Sequence, residues 1–225
     1  MIYPQYSEIE KLIKEYEDDF LNLRPNKVII TNYSKVLVLS AASLFEKRIK
    51  EKCQDFLNSP NLPISSNYPL INKLINNNNR KPTNDQMYGK FETYDSNGGL
   101  VLNATKFYDL FGSGFGNTVT SHFNNELGYN ISERRLTLNA LNGLIGHDDT
   151  YDNDYVRIDD LIIQLSTSNF SDAENAFLNI KLRRNKTAHD FINGINDTFE
   201  EIVKFYNMAV IYVVSLEKAI SDITI

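Results

Sequence analysis

The chain has 225 residues (25.8 kDa), with 23 Lys and Arg against 29 Asp and Glu and a formal net charge of -6. Apolar residues at 42% and charged residues at 23% match ordinary globular usage and exclude bulk disorder, while the acidic balance excludes a broad nucleic-acid-coating surface and leaves room only for a small basic site. A single cysteine, Cys53, excludes an internal disulfide framework and a cysteine-based zinc cluster, which suits a reducing, cytoplasmic setting.

The N-terminal stretch has no basic segment leading into an apolar one, so no signal peptide is expected. No run approaches the roughly 18 to 20 apolar residues that span a bilayer, so no membrane is expected among the partners. All 6 prolines fall at or before Pro82 and all 10 glycines at or after Gly89, yet the helical patterns on either side look incomplete alone. The whole of 1–225 is therefore read as one domain.

Ser7 to Leu23 places Ile9, Leu12, Ile13, Tyr16 and Phe20 on one face, which predicts an amphipathic helix. Ser34 to Leu57 carries a stripe of Leu37, Ala41, Leu44, Phe45, Ile49, Cys53 and Phe56, with Ser34 as a candidate N-cap and Ser59-Pro60 as the stop. Cys53 on that stripe reads as an inert core thiol. Glu46 lies beside the stripe: facing solvent it needs nothing, but half-buried it needs a cation such as Arg183 or Arg48, and there it could orient a catalytic arginine. Asn76 to Asn79 reads as a loop, and Phe91–Tyr94, Asp95–Gly99 and Leu100–Leu102 as a short hairpin.

Phe111 to Asn117 resembles a phosphate-binding glycine loop. Asn117 stands where the dinucleotide fingerprint needs glycine, and no Lys-Ser/Thr follows as a P-loop requires, so it reads as a turn. Asn117–Leu127, Ser132–Leu144 (ended by Gly143 and Gly146) and Ile158–Leu165 read as three amphipathic helices, with His122 on a surface. His147, Asp148, Asp149, Asp152 and Asp154 form an acidic loop without EF-hand spacing, hence a solvated one. A further helix is expected from Ser171 or Asp172, with Glu174 three residues after the first, toward Arg184. The last runs from Asp197, its expected cap, to Ser221, with Glu200 and Glu201 in the first turn. Its centre, Met208 to Val214, is apolar on all sides and must be buried in the core or partly by a second subunit. The fold class is thus all-α, with at most one small β-hairpin.

Four basic residues in six positions, Lys181, Arg183, Arg184 and Lys186, precede His189, one of only three histidines. On a helix Asn185 and His189 share a face, while Arg184 stands about 140° around the axis from His189 and can swing toward it. The plainer reading is a basic helix C-terminus capped by a histidine. The chemical reading is a phosphodiester site. An imidazole titrates near neutrality and serves as general base or acid, and a guanidinium matches the extra charge on a pentacoordinate phosphate. The carboxamide orients either group or a ribose hydroxyl. With RNA as substrate its own 2′-OH is the nucleophile, so no metal or other cofactor is needed.

Arg184-Asn185-x-x-Ala188-His189 resembles the R-N-x-x-A-H motif of the HEPN superfamily, which includes many ribonucleases of prokaryotic toxin–antitoxin and phage-defence systems. Chance alone gives Arg-x4-His about 0.1 times in such a sequence and about 0.01 times once Asn must follow Arg, so the longer pattern is specific. The resemblance implies a HEPN-like helical bundle with core helices at about 7–23, 34–57, 172–189 and 197–221 and an elaboration at about 60–170. It further implies a homodimer with two motifs in one cleft and metal-independent cleavage of RNA to a 2′,3′-cyclic phosphate. His189 would be the general base or acid, Arg184 the phosphate and transition-state stabiliser, and Asn185 the orienting group, with Arg183, Lys186 and Lys181 on flanking phosphates. An antitoxin or defence protein is the partner to expect. One departure stands out: Phe191 occupies the place two after the histidine where a nucleotidyltransferase-paired subgroup carries a modified tyrosine, which argues against that subgroup. The alternative is a non-catalytic HEPN-type module that docks a partner protein or nucleotide.

Overall fold

The computed structural model describes residues 2–23, 27–59, 92–94, 100–102, 108, 111–112, 114–144 and 152–224. A 3-10 turn at Pro4–Tyr6 leads into α1 (Ser7–Leu23), followed by α2 (Lys27–Asn58) and an antiparallel pair, β1 (Glu92–Tyr94) and β2 (Leu100–Leu102), with Thr93 opposite Val101. Then come α3 (Phe115–Asn142), α4 (Asp152–Thr167), α5 (Phe170–His189) and α6 (Phe199–Thr224). The fold is all-α with one short hairpin, as the periodicity predicts. Among the described residues no helix is long and apolar enough to cross a membrane.

Every residue from Met208 to Glu217 of α6 is buried. The covering surfaces are α2, α3 and α5 of the same chain, so this greasy helix needs no second subunit to hide it. An aromatic column ties the layers together. Phe45 of α2 stacks on Tyr206 of α6 (centroids 6.0 Å apart) and tilts against Phe177 of α5 (6.2 Å), which in turn meets Tyr212 (5.3 Å). Burying side chains of this size contributes roughly 1.5–3 kcal/mol each, and here it fixes how α2 and α5 face each other. Cys53 is fully buried, and burial pushes its thiol up to about 12, so it stays protonated in the core as expected.

Several expected boundaries shift. α2 begins at Lys27, so Ser34 is no cap but a fully buried residue inside the helix. The two helices expected around Gly128 are one: the Ser132 hydroxyl donates back to the Gly128 carbonyl (2.9 Å), so the serine read as a helix start sits in mid-helix. Gly128 costs only its propensity, about 1 kcal/mol. The turn before α3 uses glycine at Gly114, whose φ of 102° is strained for any side chain. α4 starts at Asp152, so Asp152 and Asp154 belong to a helix and not to a loop. His147 to Thr150 and Asn76 to Asn79 lie outside the described residues.

The caps of the last two helices also differ. Asn169 caps α5, accepting from the Asp172 N–H (3.1 Å), and the Asp172 carboxylate accepts from the Asn169 N–H (2.8 Å). Thr198 and Glu201 form the same reciprocal box on α6. Neither Ser171 nor Asp197 is a cap.

Candidate active site

α5 turns Ala173, Ala176, Phe177 and Ile180 inward. Four residues beyond Ile180 the same stripe meets Arg184, and three further on Thr187, which is buried. Arg184 therefore starts from a core-facing position and must carry its charge out along the α2 junction. There its Nη2 donates to Glu46 Oε2 at 2.6 Å, the two side chains being 32% and 24% exposed. The second Glu46 oxygen is held by Lys50 at 3.1 Å.

Arg184 also donates from Nη1 to Asn185 Oδ1 at 2.9 Å. The carboxamide oxygen is thereby occupied, and its NH2 end makes no bond among the described residues. One turn further along the same face, His189 closes α5 with an exposed side chain. Among the described residues nothing bonds to its ring. The motif thus forms a hydrogen-bonded relay of carboxylate, guanidinium and carboxamide, and the imidazole stands one helical turn beyond it without a bond to it. The guanidinium retains N–H donors for an incoming anion, and the imidazole is open to solvent for proton transfer. From its place beside the stripe, Glu46 is expected to pair with Arg183 or Arg48. The packing of α2 on α5 gives it Arg184 instead. Arg48 goes to Glu217 on α6.

The flanking basic residues separate. Lys186 is exposed and remains available to a phosphate. Lys181 is 4% exposed, four residues after Phe177 on the inner face, and cannot line a surface track. Arg183 is a clamp: Nε and Nη2 donate to Asp197 Oδ1 (2.9 and 2.6 Å), Nη1 donates to Asn179 Oδ1 (2.7 Å), and its guanidinium carbon lies 4.7 Å from the Phe205 ring centroid. It ties α5 to the start of α6 and has little left for substrate. The expected roles of Lys181 and Arg183 are corrected accordingly.

Sequence reasoning missed two contributors. An open, shallow depression on the surface of α2 includes Glu46, with Lys47 and Lys50 beside it. The signal was available, since Glu46 and Lys50 are one turn apart. Lys35 of α2 is 3% exposed and donates to the Ile192 carbonyl just past His189 (2.9 Å), a pairing no local pattern reveals. His122 pairs with Asp222 (2.6 Å) and takes no part. No family model, characterised protein or solved structure matches the chain.

Proposed function

We propose that this chain is a HEPN-type, metal-independent endoribonuclease that works in the cytoplasm as a toxin or defence effector. The observation that carries this reading is the oriented relay. Arg184 is held on one side by Glu46 and on the other by Asn185, and His189 lies open one turn beyond Asn185. A phosphodiester seated on the free edge of the guanidinium has its pentacoordinate charge neutralised as it develops. His189 removes the proton from the ribose 2′-OH, the 2′ oxygen attacks the adjacent phosphorus, and the bond to the 5′ oxygen breaks. The products are a 2′,3′-cyclic phosphate and a 5′-OH that takes up a proton. A homodimer supplies a second His189 as the acid for that last step, and an antitoxin or defence protein restrains the activity.

Purified protein is expected to cut a mixed pool of tRNA and mRNA in EDTA and to leave DNA of the same sequence intact. His189→Ala should lower the rate by roughly 10²–10⁴-fold, the usual contribution of a general acid–base group, with unchanged far-UV circular dichroism. Cleavage persisting in that variant removes His189 from the mechanism.

A second reading is favoured by one observation: Glu46 already neutralises Arg184, Arg183 is bound to Asp197 and Lys181 is buried, so little of the basic cluster is left outside. On that reading the same face docks a protein or nucleotide without chemistry. Wild-type protein that binds RNA or nucleotide and leaves every RNA uncut decides for it.

A further inference from the structure

Directly after His189 the chain turns two apolar side chains into water, Phe191 at 44% and Ile192 at 80% exposure. The turn that carries them is firmly held. The Asp190 carboxylate accepts from the Ile192 N–H (3.1 Å), the Asn193 N–H (3.0 Å) and the Asn193 amide (3.2 Å). Lys35, buried in α2, donates to the Ile192 carbonyl (2.9 Å) and sets its ammonium 5.2 Å from the Phe191 ring centroid. Gly194 fits so tightly against the end of α5 that a Cβ there would meet the Asp190 oxygen at 2.4 Å.

A lone exposed aromatic needs no explanation by itself, but this one is backed by a cation and open outward, so a flat ligand can cover it. Its place narrows what that is. In sequence it lies two residues past the imidazole and five past the exposed Lys186, and Lys35 stands behind it, so the neighbourhood favours an anionic ligand. Its inner side is closed by a cation, which favours the ring electrostatically and leaves the outer face for a flat partner. We infer that Phe191, braced from behind by Lys35, is the stacking platform for one nucleobase of single-stranded RNA whose phosphodiester lies at Arg184 and His189. This rests on the ribonuclease reading and extends it to the substrate class. A ring platform accepts any base by its π face, whereas a base already stacked inside a duplex is not offered to it. The turn therefore selects unpaired strands with little sequence preference, and the ribose 2′-OH requirement lies in the cleavage step alone.

The test uses the full chain carrying His189→Ala and a short single-stranded RNA containing 2-aminopurine, with its duplex and its DNA counterpart alongside. Binding should quench the fluorophore for RNA and DNA single strands and not for the duplex. Phe191→Ala and Phe191→Leu should each weaken single-strand binding about tenfold and remove the quench, while Phe191→Tyr keeps both, all with unchanged circular dichroism. The platform is overturned if the parent does not quench, if Phe191→Leu binds as the parent does, or if the loss in Phe191→Ala tracks a change in sedimentation mass. That last outcome would mean the ring covers a second copy of the chain. The two readings fail separately. Cleavage that depends on His189 with binding indifferent to Phe191 removes only the platform, whereas Phe191-dependent quenching with cleavage indifferent to His189 removes only the nuclease assignment.

Discussion

Two arginine–glutamate pairs join α2 to the rest of the bundle, and they are built differently. At the α2–α6 junction Arg48 meets Glu217 through two bonds, Nε at 3.0 Å and Nη2 at 2.7 Å, while the Tyr6 hydroxyl donates to the same carboxylate at 3.4 Å. Glu217 is 7% exposed there, and its bonds hold the Arg48 guanidinium above its usual range. At the α2–α5 junction Arg184 meets Glu46 through one bond, both partners are partly wet, and the carboxylate is shared with Lys50. A bidentate pair on a buried carboxylate is a clamp, even though Arg48 itself is 26% exposed and turns its Nη1 to Glu51. A pair with one bond and an open edge orients a cation without consuming it.

The contrast breaks most visibly at its two ends. Arg184→Ala should cut the RNA cleavage rate by roughly 10²–10³-fold, as loss of one oxyanion donor does, with a melting temperature close to wild type. Glu217→Ala should do the reverse, costing about 2 kcal/mol of stability by leaving the Tyr6 hydroxyl and Arg48 without their acceptor, while folded molecules keep their turnover. Matched denaturation curves and single-turnover rates for the two variants decide it, and equal stability losses would sink the distinction. Gly194→Ala acts through both properties. Its Cβ would press on the Lys186 and Asp190 carbonyls, and overpacking of that kind costs about 2 kcal/mol. The end of α5 shifts, so urea midpoint and cleavage rate should fall together.

Glu46→Gln sharpens the comparison with a smaller effect. The glutamine keeps the hydrogen bond to Arg184 and removes the charge that competes with a phosphate. KM is expected to fall while kcat drops about tenfold, as the arginine binds ground-state phosphate more strongly and is held less well for the transition state. A change in overall stability without that split would mark Glu46 as merely structural. The smallest effect is in pH. The Asn193 backbone N–H first, then its side-chain amide and the Ile192 N–H, hold the Asp190 carboxyl below the ordinary aspartate range. The stabilisation is complete above the unfolded value near about 4 and is lost as pH falls through the lowered folded value. Amide exchange at Ile192 and Asn193 should therefore quicken only in that acid window. Exchange insensitive to acid would separate Asp190 from the turn.

Much of this was legible in the sequence, and the failures have physical causes. The all-round apolar run in α6 and the stripes of α1 and α2 required burial, though whether by the chain itself or by a second subunit was settled only by the packing of α2, α3 and α5 on α6. The Gly128–Ser132 stretch read as a break because glycine and serine weaken a helix locally, yet α3 continues once it packs on α6. The reciprocal boxes Asn169-x-x-Asp172 and Thr198-x-x-Glu201 were written in the chain, but the neighbouring Ser171 and Asp197 offered equally good cap chemistry. Arg183 and Arg184 could not be told apart from spacing. Adjacent helical residues point about 100° apart, and the partners that separate them, Asp197 and Glu46, come from other elements. The relay was half visible: Asn185 and His189 share a face by spacing, whereas the carboxylate behind Arg184 depends on the register between two helices.

The segment that follows His189 is closed at both ends, by Lys35 on Ile192 and by Arg183 on Asp197, with Gly194 wedged between. The conformational entropy of that stretch is therefore given up once, during folding, and, on the ribonuclease reading, not again at each encounter with RNA. Loosening any one of the three fastenings should lower the catalytic rate through a more negative activation entropy while leaving the activation enthalpy nearly untouched.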